Sequence, residues 1–236
     1  MYSHSRLGQW ILSTNKSTNK LDVESFKHLK RALGFLGILL PMICIFGGLF
    51  GALGPCGGAV QPSISHYYHT NMRDVLVGLL GCVAIFFMTY SGYGWLDNLF
   101  TWGIGLAGAG VAIFPCPTHP PGATPVGILQ LPQVTSGSIH YWCAGAFFFF
   151  LAINSIFLFT LSNEKGRLGQ SKRSRNAIYI ASGVVILASL LTLLILNSAA
   201  ETFFENTPIA LVFETVMLIA FGVSWLVKGD IGLFRD

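Results

Sequence analysis

Ser63-Ile-Ser-His-Tyr-Tyr-His-Thr-Asn-Met-Arg-Asp-Val-Leu-Val-Gly-Leu-Leu-Gly-Cys-Val-Ala-Ile-Phe-Phe-Met-Thr-Tyr90 decides the fold, because a polar segment rich in histidine and tyrosine runs straight into an uncharged apolar run. The same alternation of polar segment and apolar run recurs along the chain. Hydrophobic residues make up 53% and charged residues only 10% of the 236, with a mean hydropathy of +0.63. A soluble domain carries about 25% charged residues, so the composition points to a polytopic membrane protein. A span needs about 20 mainly apolar residues to cross a hydrocarbon core about 30 Å thick. Six runs meet or approach that length, at 32–54, 75–93, 99–114, 140–161, 177–199 and 208–227. These runs lack the alternation of a membrane barrel, which leaves helices as the spanning structure. The expected class is therefore all-α, a bundle of six transmembrane helices at 32–228 between a polar tail at 1–31 and a short tail at 229–236.

Positive charge sets the orientation, since cytoplasmic loops retain Lys and Arg. Of the 14 Lys and Arg, all but Arg73 precede the first run, lie between the fourth and fifth, or follow the sixth. Both termini are thus expected in the cytoplasm, with 55–74 and 116–139 as long outer loops. The first run begins too late and is too long for a cleaved signal peptide, so it is expected to be retained as an anchor in the inner or plasma membrane. The net charge of +4 reads as topology rather than nucleic-acid binding, because the basic residues are spread over three loops without an aromatic platform. The partners this implies are membrane lipids, with anionic headgroups drawn to the basic loops, and a protein partner or a second copy as the other options.

Chemistry concentrates on the outer side. His66, His69, His119 and His140 all map there, and a helix that begins early would set His66 and His69 on one face with Arg73 and Asp74 beyond them. Three imidazoles, His66, His69 and His140, are the residue types that hold a zinc ion with an open position, and such an ion lowers the pKa of bound water to about 7. Glu214 lies seven residues into the sixth run, roughly 10 Å deep by helix rise, where a carboxylate is costly and needs a cation, a donor such as Asn154 or a tyrosine, or a proton. Asp74 and Glu214 are the candidate catalytic carboxylates. Tyr67, Tyr68, Arg73 and His119 are candidate binding residues at the mouth. The bland alternative is that interfacial His and Tyr hydrogen-bond headgroups and loop carbonyls, and that Glu214 is architectural. Asp97 reads as the N-cap of the third helix. No Walker loop, dinucleotide fingerprint or G-x-S-x-G elbow occurs, and no lysine lies within a span to form a retinal Schiff base.

Glycines at Gly47-Gly48, Gly51 and from Gly103 to Gly110 mark the first and third helices as closely packed. Both outer loops begin Pro-Cys, at Cys56 and Cys116, and Ser63-Ile-Ser-His-Tyr-Tyr68 echoes Ser136-Gly-Ser-Ile-His-Tyr-Trp142. Two duplicated hairpins clamped by a Cys56–Cys116 disulfide would explain the echo.

Pro62-Ser-Ile-Ser65, Asn98, Phe114-Pro115, His140 followed by Gly145-Ala-Phe-Phe148, and Glu214 together resemble small six-span membrane proteins of the DRAM and Frag type, and a related bacterial family of unknown function. The resemblance implies a role in lipid remodelling or membrane homeostasis without an agreed catalytic mechanism. Where many of those proteins carry an acidic residue after Ile-Ser, this chain has His66. A fainter likeness to ceramidase-like membrane hydrolases implies Ser, Asp and His around a metal, although those usually have seven spans and an H-x-x-x-H pair that is missing here. Two functions therefore stand side by side. One is a membrane component whose outer polar mouth binds lipid headgroups or a partner, and the other is a zinc-dependent hydrolase of a lipid amide or ester.

Overall fold

The computed structural model describes residues 4–50, 60–90, 94–118, 122–161, 170–199 and 207–230, with side chains described from residue 22 onward. Six helices account for most of them: α1 (His4–Phe50), α2 (Arg73–Thr89), α3 (Trp95–Ile113), α4 (Gln133–Ile153), α5 (Gln170–Ala199) and α6 (Ile209–Lys228). Among the described residues the only β pairing is an isolated bridge between Val126 and Leu131, so the all-α class holds. Five helices are long and apolar enough to cross a membrane: Asp22–Phe50 of α1, α3, α4 continued to Leu158, α5 and α6. The 17 residues of α2 rise only about 26 Å at 1.5 Å per residue, short of a core about 30 Å thick.

Several boundaries differ from expectation for local reasons. The polar tail is helical from His4 and continues into the first apolar run as one helix of 47 residues, with Pro41 inside it. Pro132 stands at the N-cap of α4, and the helix starts at Gln133, which places His140 two turns inside rather than at the opening. Gly94 occupies the N-cap of α3, so Asp97 sits within the first turn, buried, and not at the cap. Near its end α4 widens into a π turn at Asn154–Leu158, where Ser155 Oγ donates to the Tyr179 carbonyl of α5 at 2.8 Å.

Each helix packs on its neighbours in sequence, and α6 packs on α1, which closes a ring. The helices alternate in direction. At one end Arg31 of α1 donates to the carbonyls of Gly229 and Asp230 after α6, and Phe26 meets Tyr90 after α2. At the other end Leu211 of α6 donates to Pro62, and His140 of α4 reaches Phe114 after α3. Lys27, Lys30, Arg31, Lys172, Arg175 and Lys228 therefore share one end, and Arg73 stands at the other.

Inside the ring, Phe86, Phe87, Tyr90, Phe159 and Phe221 surround Trp225, each with its ring centroid 5.0–6.3 Å from the indole. Edge-to-face pairs at such distances each add about 0.5–1.5 kcal/mol beyond area burial. Outside, Phe35, Leu39, Ile43 and Phe46 of α1 and Val184, Leu191, Leu194 and Ile195 of α5 are exposed. An apolar exterior of this extent suits lipid rather than water.

The expected glycine packing is present, although the closest approach of two backbones is elsewhere. Gly34 of α1 and Gly222 of α6 bring two backbones together, since a Cβ on Gly222 would lie 2.6 Å from the Gly34 carbonyl oxygen and one on Gly34 2.7 Å from the Leu226 nitrogen. Gly47 and Gly48 instead receive Met72 and Tyr67 from the segment before α2, and Gly105 of α3 faces the Ala84 carbonyl of α2. Gly222→Val should force α1 and α6 apart and cost about 1–3 kcal/mol, the usual range for overpacking. Gly78, with open space around it, should accept Ala within about 1 kcal/mol either way. Thermal unfolding of the two variants in detergent measures both values, and equal stability would show that the α1–α6 contact is not close.

Candidate functional site

The segment before α2 departs from the α-helical ladder and lies across the end of the ring, against α1, α4 and α6. Ser65–His69 forms one 3₁₀ turn, and the chain then breaks at Thr70, whose hydroxyl donates to the Tyr67 carbonyl at 2.8 Å and accepts from the Met72 N–H at 3.1 Å. His66 and His69 thus stand on a separate turn and not on an early extension of α2. Such a segment presents N–H and C=O groups that no helix satisfies, and where they are buried each needs a partner.

Glu214 supplies the central one. Its Oε2 accepts the backbone N–H of Ile64 at 2.8 Å and of Ser65 at 3.3 Å, so its partners are two main-chain donors rather than Asn154 or a tyrosine. One turn earlier the Leu211 N–H donates to the Pro62 carbonyl at 2.9 Å, which ties the segment to α6 twice. Asn154 lies in the π turn, its buried amide without a hydrogen-bond partner among the described residues.

His140 supplies the second tie. Its Nδ1 is 2.7 Å from the Phe114 carbonyl oxygen, which can only accept, so Nδ1 carries the proton. Nε2 of the neutral ring then accepts from the Ser65 hydroxyl at 3.0 Å. The Pro115 carbonyl accepts from Ser136 Oγ at 2.7 Å, and the Cys116 carbonyl meets His69 Nε2 at 2.8 Å. Three successive carbonyls beyond α3 are satisfied in this way, two of them by α4 and one by the 3₁₀ turn. Gln133 organises the rest of the loop, its Oε1 accepting from the Thr118 N–H, the Thr118 hydroxyl and the Gly122 N–H while Nε2 donates to the Thr124 carbonyl.

The expected zinc ligands do not come together. His66 Nδ1 is 2.7 Å from the Ser63 hydroxyl, His69 faces Cys116, and both ring nitrogens of His140 have protein partners. Among the described residues no three His, Cys, Asp or Glu side chains are grouped as a metal ion requires. Asp74 points into solvent, its side chain 94% exposed, with Arg73 Nε at 3.5 Å, so it does not join Glu214. Tyr67 is fully buried against α1 and cannot serve as a surface ligand, whereas Tyr68 is half-buried beneath the Arg73 guanidinium at 5.9 Å. His119 and Cys56 lie outside the described residues, and with Cys56 the expected disulfide. The two echoing segments take different structures, a 3₁₀ turn at one and the body of α4 at the other.

Beneath the segment lies a partly open cavity of about 40 Å³, with Ser65 and Glu214 as its polar groups among the described residues and Leu40, Leu80, Phe147 and Leu218 among its walls. A water needs about 10–15 Å³ of such space, so the cavity has room for a few. The sequence reading missed Ser65, Gln133 and Ser136. The signal for Ser65 was its place in the Pro62–Ser65 motif, and nothing in the spacing paired it with a residue 75 positions away.

Replacing Glu214 by Leu leaves two main-chain donors unpaired, at about 1–3 kcal/mol each, while Glu214→Gln retains a side-chain acceptor and should lose less. Unfolding in detergent ranks the two, and equal losses would mean that the N–H contacts are incidental. Burial, reinforced by the nearby Glu214 charge, pushes the Cys116 thiol well above its usual pKa and keeps it protonated. Under reducing conditions Cys116 should therefore resist maleimide in the folded protein and react after denaturation, as peptide mass mapping would show. Comparison of the chain with models of protein families, with curated proteins and with solved structures yields no match, so its site is described from its own residues alone.

Proposed function

We propose that this is a six-span integral membrane protein with cytoplasmic termini whose outer mouth engages lipid headgroups without chemistry, a role in the organisation or homeostasis of membrane lipid. One observation carries the reading. The polar groups of the mouth are turned inward and used on one another, while its rim is exposed and has the composition of a headgroup contact. Arg73, with its side chain 58% exposed, lies over Tyr68, and Tyr141 and Trp142 are exposed in the third turn of α4. Ile128 and Leu129 project from the turn closed by Val126 and Leu131. Exposed aromatics and a cation at one level of a bundle suit the interfacial zone of a bilayer. The proposed kinship with the DRAM and Frag proteins accords with this, because Pro62–Ser65, Phe114-Pro115, His140 and Glu214, which carry the likeness, are partners in one hydrogen-bonded closure.

A second reading has its own observation. Ser65 Oγ, His140 Nε2 and the Phe114 carbonyl follow the order of nucleophile, base and orienting group found in acyl-transfer enzymes, with the carbonyl in the place of a carboxylate. Against it, the Ser65 N–H, the natural donor to a developing oxyanion, is held by Glu214.

Benzoylphenylalanine at Tyr141, photolysed in native membranes, should yield an adduct of phospholipid mass that falls several-fold when Arg73 is changed to Ala. An adduct of polypeptide mass would assign the mouth to a protein partner instead. Treatment of the same membranes with a fluorophosphonate separates the second reading: labelling abolished by Ser65→Ala establishes a hydrolase, and no labelling removes it.

A further inference from the structure

The opposite end of the ring holds a cleft of about 260 Å³ lined by Lys30 of α1, Lys172 and Arg175 of α5 and Lys228 of α6. Its floor is aromatic. The Lys228 ammonium lies 4.8 Å from the centroid of Phe159 and 5.9 Å from that of Tyr179, which fixes the charge in place over two ring faces. Lys30 is held similarly, 5.4 Å from Phe26 and 5.9 Å from Tyr90. Among the described residues Asp230 is the one acid in the lining, and its carboxylate is 3.1 Å from Lys27 Nζ, outside the cleft. Buried Asp97 interacts electrostatically with both Lys30 and Lys228 from the first turn of α3. Arg31, the other nearby cation, is committed to the carbonyls of Gly229 and Asp230. Three helices that meet at one point thus direct four cations into a single cleft, and two carboxylates oppose them.

We propose that this cleft binds the phosphate group of an anionic phospholipid, held by Lys30, Lys172, Arg175 and Lys228. The site is separate from the mouth and stands whether or not the mouth binds lipid. Mixed Lys and Arg donors suit phosphate oxygens, which accept charge-assisted hydrogen bonds from several directions. Basic pockets between transmembrane helices on the cytoplasmic side are a recurring form of headgroup recognition. The volume falls below the roughly 300–1,000 Å³ of sites that enclose a whole organic ligand, which matches a headgroup whose chains stay outside. Leu161 at the lip and Ile180 beside Tyr179 are exposed and supply an apolar flank for those chains.

The probe is dioleoyl phosphatidic acid, titrated into the full-length protein in a neutral detergent and followed by native mass spectrometry, with phosphatidylcholine and glycerol 3-phosphate as the comparison ligands. Phosphatidic acid should bind one-to-one and at least about ten-fold more tightly than phosphatidylcholine, because only the first presents an uncompensated phosphate. Lys228→Gln, Arg175→Gln and Lys172→Gln should each weaken it about five-fold, the effect of about 1 kcal/mol per basic residue. Arg173→Gln removes the same charge from the same helix outside the cleft and should leave affinity unchanged. The three lining variants give independent readings should one of them fail to fold. An equal loss from Arg173→Gln would show only a basic surface and overturn the site. Glycerol 3-phosphate binding as tightly as phosphatidic acid would give the cleft to a soluble phosphoester and overturn the lipid assignment.

Discussion

A stretch of backbone that leaves the α-helical ladder can be buried only if other groups of the protein, or enclosed water, satisfy its N–H and C=O groups. Much of this molecule follows from how that demand is met at Pro62–Thr70. Glu214 brings an acceptor with enough lone pairs for two N–H groups, and α6 adds the Leu211 N–H for the Pro62 carbonyl. His140 adds one donor and one acceptor on a rigid ring, which allows α4 to hold the end of α3 and the 3₁₀ turn at once. Removing any of these groups would leave its protein partners unpaired. The polar residues of the mouth are best understood as mutual obligations among main-chain groups, with the histidines serving as connectors.

The two ends of the ring solve opposite problems. At the mouth, the buried polar groups are used on one another and the outward surface mixes aromatic and aliphatic side chains with the Arg73–Asp74 pair. At the other end, cations are gathered and held apart by aromatic rings rather than neutralised one for one. Between the ends, small residues and aromatic edges provide the packing, because helix association within lipid relies on close contact and cannot draw on the exclusion of water. Trp225, ringed by aromatic groups from α2, α4 and its own helix, and the Gly34–Gly222 crossing are two forms of that contact.

The helical class was legible because apolar runs near 20 residues have few other structures open to them. The ends of α2 and α5 were placed less well, since α2 stops at Thr89 and α5 begins at Gln170 among polar residues that hydropathy alone assigns to a loop. Glu214 was recognisable as costly where it stands, yet its partners were not, because main-chain donors are identical at every position and leave no trace in residue type. The histidines misled for a related reason. Imidazole at short spacing has the composition of a metal site, and only direction distinguishes a ring turned to a carbonyl from one turned to an ion. Ser65 and Gln133 were invisible as site residues because serine and glutamine are ordinary in loops. The cations of the basic cleft were all counted as topology, and their convergence depends on three helices meeting.

The closure of the ring by its first and last helices has a consequence for how the protein is made. A membrane protein is threaded into the bilayer from its N-terminus, and early segments pack as they arrive. Here α1 waits for α6, and the Ile64 N–H waits for a carboxylate 150 residues further along. Until α6 is in place, the glycine face of α1 and the main chain before α2 lack the partners that α6 supplies. Mouth and ring therefore close together, when α6 takes its place against α1.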